Sequence, residues 1–174
     1  NLVGEENMGW TYAKYLLTYE RTNIAGIGFS MAALAELKDI AGDQTRAGRK
    51  LVDNPLFAAR MARAEIELEN ARITDLRVVT AAAGGGAPGA ESSMIKIKGT
   101  EIRQELDNLK RTALGAYAAP FVPEAFEPGF NGPSVGPDYA APIAKQYFNN
   151  RKISIFGGSN EIQKNIISKM ILGL

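Results

Sequence analysis

A chain of 174 residues, 45% hydrophobic and 22% charged, is long enough for a domain with a substantial core. It contains no cysteine and no histidine, which removes disulfides, thiol nucleophiles, histidine-based triads and the usual zinc sites, so no metal site is expected. Twenty basic residues interleave with nineteen acidic ones; a net charge of +1 makes no case for nucleic acid or an anionic membrane, and no apolar run reaches the ~20 residues that span a bilayer. Proton transfer is therefore left to carboxylates, Lys or Tyr, or to a bound cofactor.

The N-terminal NLVGEENMGW lacks the basic region and apolar core of a signal peptide. From about Gly9 to about Ile40 the spacing predicts one long helix, ended by Gly42-Asp43. Its apolar stripe is Ala13, Leu16, Leu17, Ile24, Ile27, Met31 and Leu34, and Glu20 falls on that stripe, a full turn from Leu16 and from Ile24. A desolvated carboxylate is costly. Either the stripe opens to water there, or a cation such as Lys14 or Arg21 compensates the charge, or the position is chemical. Tyr12, Tyr15 and Tyr19 lie on another face and read as packing residues, while Gly26 and Gly28 are expected to admit a close neighbour.

A second helix is predicted to about Thr80, capped by Asp53 or Asn54 with Pro55 in first position and Phe57, Met61, Ala64, Leu68 and Ala71 on its apolar line. AAAGGGAPGA reads as a loop. Ser92 or Ser93 is expected to cap a third helix, about Met94 to Ala118, with Ile95, Ile102, Leu106, Leu109 and Ala113 inward. PFVPEAFEPGFNGPSVGP is a long connection of the kind that is functional or packs on a neighbour. A fourth helix, about Pro137 to Ile155, is broken by Gly157-Gly158. Ser159 then caps a short last helix with Ile162, Ile166 and Met170 inward. No segment shows a strand period beyond a few residues. The fold class is all-α, an up-and-down four-helix bundle plus a short C-terminal helix in a single domain.

Two stretches carry chemistry. In IFGGSNEIQKNIISKMILGL two glycines lead into a helix N-terminus, where free N–H groups and the helix dipole favour an anion or a developing oxyanion. The plainer reading is a helix–helix turn with a serine cap. For Glu20 the plainer reading is an ion pair.

FGGSNEIQKNIISKMILGL resembles the C-terminal signature of the acyl-CoA dehydrogenase family. GWTYAKYLLTYERTNIAGIG is similar to the first helix of its C-terminal four-helix domain, NLVGEENMGW to the linker entering it, and SMIKIKGTEIRQELDNLKRTALG to its third helix. Within the family the likeness is to bacterial two-subunit enzymes of the pimeloyl-CoA dehydrogenase type. Members place a helical domain and a β-domain before this bundle, so residues 1–8 are expected to be a linker and the chain a piece of a longer enzyme.

The resemblance implies dehydrogenation of an acyl-CoA thioester to the trans-2-enoyl-CoA. A glutamate takes the α-proton and FAD takes the β-hydride. Many members carry that glutamate at the position of Gly157; a smaller set carries it on the first helix, followed by arginine, where this chain has Glu20-Arg21. The resemblance thus makes Glu20 the base, against an apolar wall of Leu16, Leu17 and Ile24. It makes Gly157 a main-chain donor to the thioester oxygen, and Arg21 a residue that orients Glu20 or lies near the pantetheine arm. Gly158, Ser159 and Glu161 fall at flavin-contacting positions. The Phe-Gly with which many members clamp the flavin pyrophosphate is absent from AGDQTRAGRKLVDNPLF, which offers Arg46 and Arg49. Further implied are an electron-transfer flavoprotein as acceptor, a homo- or hetero-oligomer (dimer or tetramer), and a bacterial cytoplasmic setting. Two alternatives remain: a non-catalytic scaffolding subunit of a heteromer, and a flavin hydroxylase of the same fold.

Overall fold

Asn54 shows how local chemistry punctuates the chain. Its Oδ1 accepts hydrogen bonds from the N–H groups of Leu56 and Phe57, each 3.1 Å, and Pro55 opens the helix behind it. In the computed structural model, which describes residues 1–84 and 89–174 and only the backbone of Thr18, Tyr19, Arg21 and Thr22, the chain is all-α. Its helices are α1 (Gly9–Ile24), α2 (Ile27–Asp43), α3 (Pro55–Ala83), α4 (Glu91–Leu114), α5 (Ala141–Asn149) and α6 (Asn160–Ile167). Part of the expected AAAGGGAPGA loop, residues 85–88, lies outside the described residues. No described helix is long and apolar enough to cross a membrane.

Four boundaries differ from expectation. The long first helix is two helices, because Gly26 takes φ +58° and its N–H bonds back to Asn23 O; the left-handed glycine ends α1 although the apolar stripe runs on past it. Ser92 and Ser93 are not caps but fully buried residues of the first turn of α4, which starts at Glu91. Gly115, at φ +56°, stops α4 at Leu114 and leaves a 3₁₀ turn to Ala118. The fourth predicted helix shortens to α5, followed by a 3₁₀ turn over Asn150–Ser154. A two-residue antiparallel ladder, Thr45–Arg46 against Arg49–Lys50, closes through Ala47 and Gly48, both at positive φ.

The residues group into two compact units. One comprises residues 28–68 and 101–152. Leu37, Phe57, Met61, Leu68, Leu106, Leu109 and Ile143 are buried there, each such side chain stabilising by about 1.5–3 kcal/mol relative to exposure. Buried charges accompany them. Lys110 Nζ donates to Glu36 Oε2 at 2.7 Å and Gln146 Oε1 at 3.3 Å, and lies 3.9 Å from Asp107 Oδ1. Burial pushes the Asp107 carboxyl up, opposed by the hydrogen bond from Asn150 (2.7 Å) and by Arg103, Lys110 and Arg151. The Phe-rich connection folds back within this unit around a cavity of about 390 Å³ lined by Tyr117, Phe126, Phe130 and Val135.

The other unit comprises residues 1–27, 69–100 and 153–174, and it holds Glu20, Arg21, Gly157, Gly158, Ser159 and Glu161, whereas Arg46 and Arg49 belong to the first. Gly99 lets α4 approach the end of α1: a Cβ there would stand 2.7 Å from Ala25 Cα. Gly28, for which a close neighbour was expected, has open space where a Cβ would go; the close approach to Ala25 is made from Gly99.

Candidate active site

Helix α1 presents Glu20 half-buried, and among the described residues its carboxylate has neither an ion pair nor a hydrogen bond. The apolar wall is partial within this chain. Leu17 and Ile24 are half-buried, but Leu16 is 63% exposed. Tyr12 and Tyr15 are exposed rather than packed, Tyr12 receiving the N–H of Glu5 on its hydroxyl at 2.8 Å. Arg21 continues the helix directly after Glu20; its side chain is outside the described residues.

One turn beyond Glu20, Ile24 meets the glycine pair. A Cβ built on Gly157 would collide with Ile24 Cδ1, so the aliphatic side chain occupies the space a residue at 157 would need. Gly157 and Gly158 both sit in the left-handed region, φ +68° and +83°, where a side chain is strained as well as crowded. The structure therefore brings Gly157 against the turn of α1 that follows Glu20.

Ser159 caps α6, its Oγ accepting from Ile162 N at 3.4 Å. Among the described residues no acceptor meets the N–H groups of Gly157, Gly158 or Ser159. Glu161, exposed in the first turn, is held below the usual carboxylate range by its own backbone N–H, then by the Ser159 hydroxyl, with Lys164 and Lys96 adding attraction.

The inward face of α6 is not the one the apolar pattern indicates. Ile162 is 51% exposed and Met170, past the end of α6, 60%; Ile166 is half-buried, whereas Asn160 and Gln163 are buried. Asn160 Oδ1 accepts from Lys96 Nζ at 2.9 Å, and its side chain also bonds the Thr100 hydroxyl. The Gln163 amide donates to the carbonyls of Gly157 (3.1 Å) and Gly158 (3.2 Å). Sequence reasoning missed Lys96, Asn160 and Gln163. The available signal was a polar line beside the apolar one: Lys96 and Thr100 four apart on α4, Asn160 and Gln163 three apart on α6.

The family described as acyl-CoA dehydrogenase, C-terminal domain, matches residues 7–172. The chain belongs to the acyl-CoA dehydrogenase family. Acyl-CoA dehydrogenase FadE26 of Mycobacterium tuberculosis is 26% identical over 178 aligned residues, which take in all of this chain and 42% of that protein. This acyl-CoA dehydrogenase domain is also similar to the ChsE4–ChsE5 complex from Mycobacterium tuberculosis (TM-score 0.76, 25% identity, 99% of this chain and 42% of that one). It shares its fold with a glutaryl-coenzyme A dehydrogenase in complex with glutaryl-CoA (TM-score 0.77, 24% identity, 99% of this chain and 40% of that one). The domain thus spans about two fifths of the proteins it matches.

Proposed function

We propose that this chain is the C-terminal domain of a flavin-dependent dehydrogenase that converts an acyl-CoA thioester to its trans-2-enoyl-CoA, with Glu20 as the general base. The observation that carries the reading is Glu20 itself: a half-buried carboxylate with no ionic partner among the described residues, one helical turn from the Ile24 that fills the space above Gly157. An ion-pair role would need a cation, and none of the described side chains supplies one.

In this reading the Glu20 carboxylate takes the proton from the α-carbon, and the N–H of Gly157 faces the thioester oxygen as enolate charge develops on it. Arg21 orients Glu20 or meets the pantetheine arm. The main-chain N–H groups of Gly158 and Ser159, without an acceptor among the described residues, and the serine hydroxyl fit the carbonyl and hydroxyl oxygens of FAD; the exposed Glu161 carboxylate does not suit its phosphates. When bound, the flavin supplies the hydride acceptor. Remaining parts of the longer protein complete the wall that Leu16 leaves open, an electron-transfer flavoprotein reoxidises the enzyme, and the enzyme assembles as a homo- or hetero-oligomer.

The test is Glu20→Gln in the full-length protein. Glutamine keeps shape and polarity, so flavin content and melting temperature should hold. Flavin bleaching by a panel of straight-chain and branched acyl-CoA thioesters in stopped flow should slow by about 10²–10⁴-fold, the contribution of a positioned base. Bleaching at the wild-type rate removes Glu20 from the mechanism.

A further inference from the structure

Two consecutive glycines have the widest backbone freedom available, yet the proposed site needs one of their N–H groups held at a fixed point. Some other residue must select the conformation of this turn. Gln163, 1% exposed, reaches back six residues and gives one amide hydrogen to each glycine carbonyl. A trans peptide carries its N–H opposite its C=O. Drawing the carbonyls of Gly157 and Gly158 onto Gln163 therefore turns the N–H groups of Gly158 and Ser159 away from it, and pins the peptide plane to which the Gly157 N–H is joined across only the two dihedrals of Gly157, with φ at +68°.

The choice of side chain is costly. Gln163 Oε1 is buried without a partner, a penalty that leucine or methionine of similar size would not incur. Gln163 is itself carried on a short helix whose first residue is tied to α4, where the fully buried Lys96 donates to Asn160 Oδ1. A buried ammonium meeting a neutral amide is a second costly choice.

We infer that Gln163 and Lys96 are positioning residues of the acyl-CoA site: Gln163 locks the Gly157–Gly158 turn and Lys96 anchors the helix that carries it, so that the Gly157 N–H stays aimed at the thioester oxygen. The inference rests on the function proposed above.

The experiment reads the carbonyl rather than turnover. In full-length Glu20→Gln protein, which should bind thioester without consuming it, the stretching frequency of ¹³C=O-labelled butyryl-CoA is compared free and bound. The parent complex should show a downshift from hydrogen bonding. Gln163→Met, which keeps volume and removes the donor, should lose most of that shift while flavin content holds. Lys96→Met, a second and independent variant, should lose part of it. A full downshift in either folded variant overturns the positioning role. Absence of a downshift in the parent complex overturns the shared-site reading instead, so the two failures are distinct.

Discussion

Helix α4 carries two fully buried lysines, and their surroundings differ in kind. Lys110 has a carboxylate at 2.7 Å (Glu36), a second at 3.9 Å (Asp107) and an amide oxygen at 3.3 Å. Its charge is answered by charge, as a structural buried cation requires. Lys96 donates to the neutral amide of Asn160. Burial pushes its ammonium below the usual lysine range, and the Glu161 carboxylate only partly opposes this. Stability alone would favour an apolar side chain at 96, since replacing a poorly compensated buried charge is often neutral or favourable. The lysine that is hard to justify by stability is the one joined to the glycine turn of the candidate site. That contrast separates a residue that holds the fold from one that holds a site.

The largest effect that sharpens this contrast is expected at Lys110. Lys110→Met leaves Asp107, 1% exposed, with Arg103 at 3.7 Å, Arg151 and Asn150 but without its ammonium neighbour. Breaking a buried pair from one side costs about 3–5 kcal/mol. Urea unfolding of the chain should show a loss of that order; a loss below about 1 kcal/mol would mean that Lys110 is as dispensable to stability as we hold Lys96 to be.

Much of the fold was legible because its signals are local. Asn54 and Pro55 start a helix through two hydrogen bonds, Ser159 caps another, and the apolar lines Phe57–Ala71 and Ile95–Ala113 are buried at helical spacing. The Gly26 break was hidden because Ile24 and Ile27 continue the stripe across it. At the site, an isolated carboxylate on an apolar stripe and a Gly-Gly before a serine cap are visible in one dimension. The pairing Lys96–Asn160 is not, because it joins distant helices through tertiary contact; Gln163–Gly157 spans only six residues but was hidden because α6 turns its amides inward while Ile162 stays exposed. Apolar periodicity finds a core; it does not find a buried polar face.

A smaller effect compares glycines from the two units. Replacing a helical glycine with alanine ordinarily gains about 0.5–1 kcal/mol. Gly42, near the end of α2, has open space where a Cβ would go, so Gly42→Ala should gain that amount. At Gly99 a Cβ would press on Ala25 backbone, with Cα at 2.7 Å and C at 2.9 Å, which cannot swing aside. Overpacking of this kind costs about 1–3 kcal/mol and should reverse the sign. Thermal melts of the two variants should move in opposite directions. Two upward shifts would show that α4 does not need the Ala25 approach that sets the candidate-site unit.

The smallest effect at neutral pH is expected at Lys96, and it has a signature in pH. Lys96→Met removes a charge that burial penalises and leaves Asn160 bonded to Thr100, so stability should change by less than about 1 kcal/mol, against the several predicted for Lys110→Met. The folded pKa of Lys96 lies below its unfolded value of 10.5. Between those two values the folded chain has released a proton that the unfolded chain still holds, so the unfolded state binds more protons and wild-type stability rises with pH. Below the folded pKa the lysine is charged in both states and the burial penalty is at its full size. Lys96→Met lacks this contribution, so wild type should gain on the variant as pH is raised from neutral toward 10.5. Taking the difference between the two melting curves cancels the other groups that titrate in that range, Tyr139 among them. A pH-independent difference, or a neutral-pH loss as large as that of Lys110→Met, would place both lysines in the structural class and leave the glycine turn without its anchor.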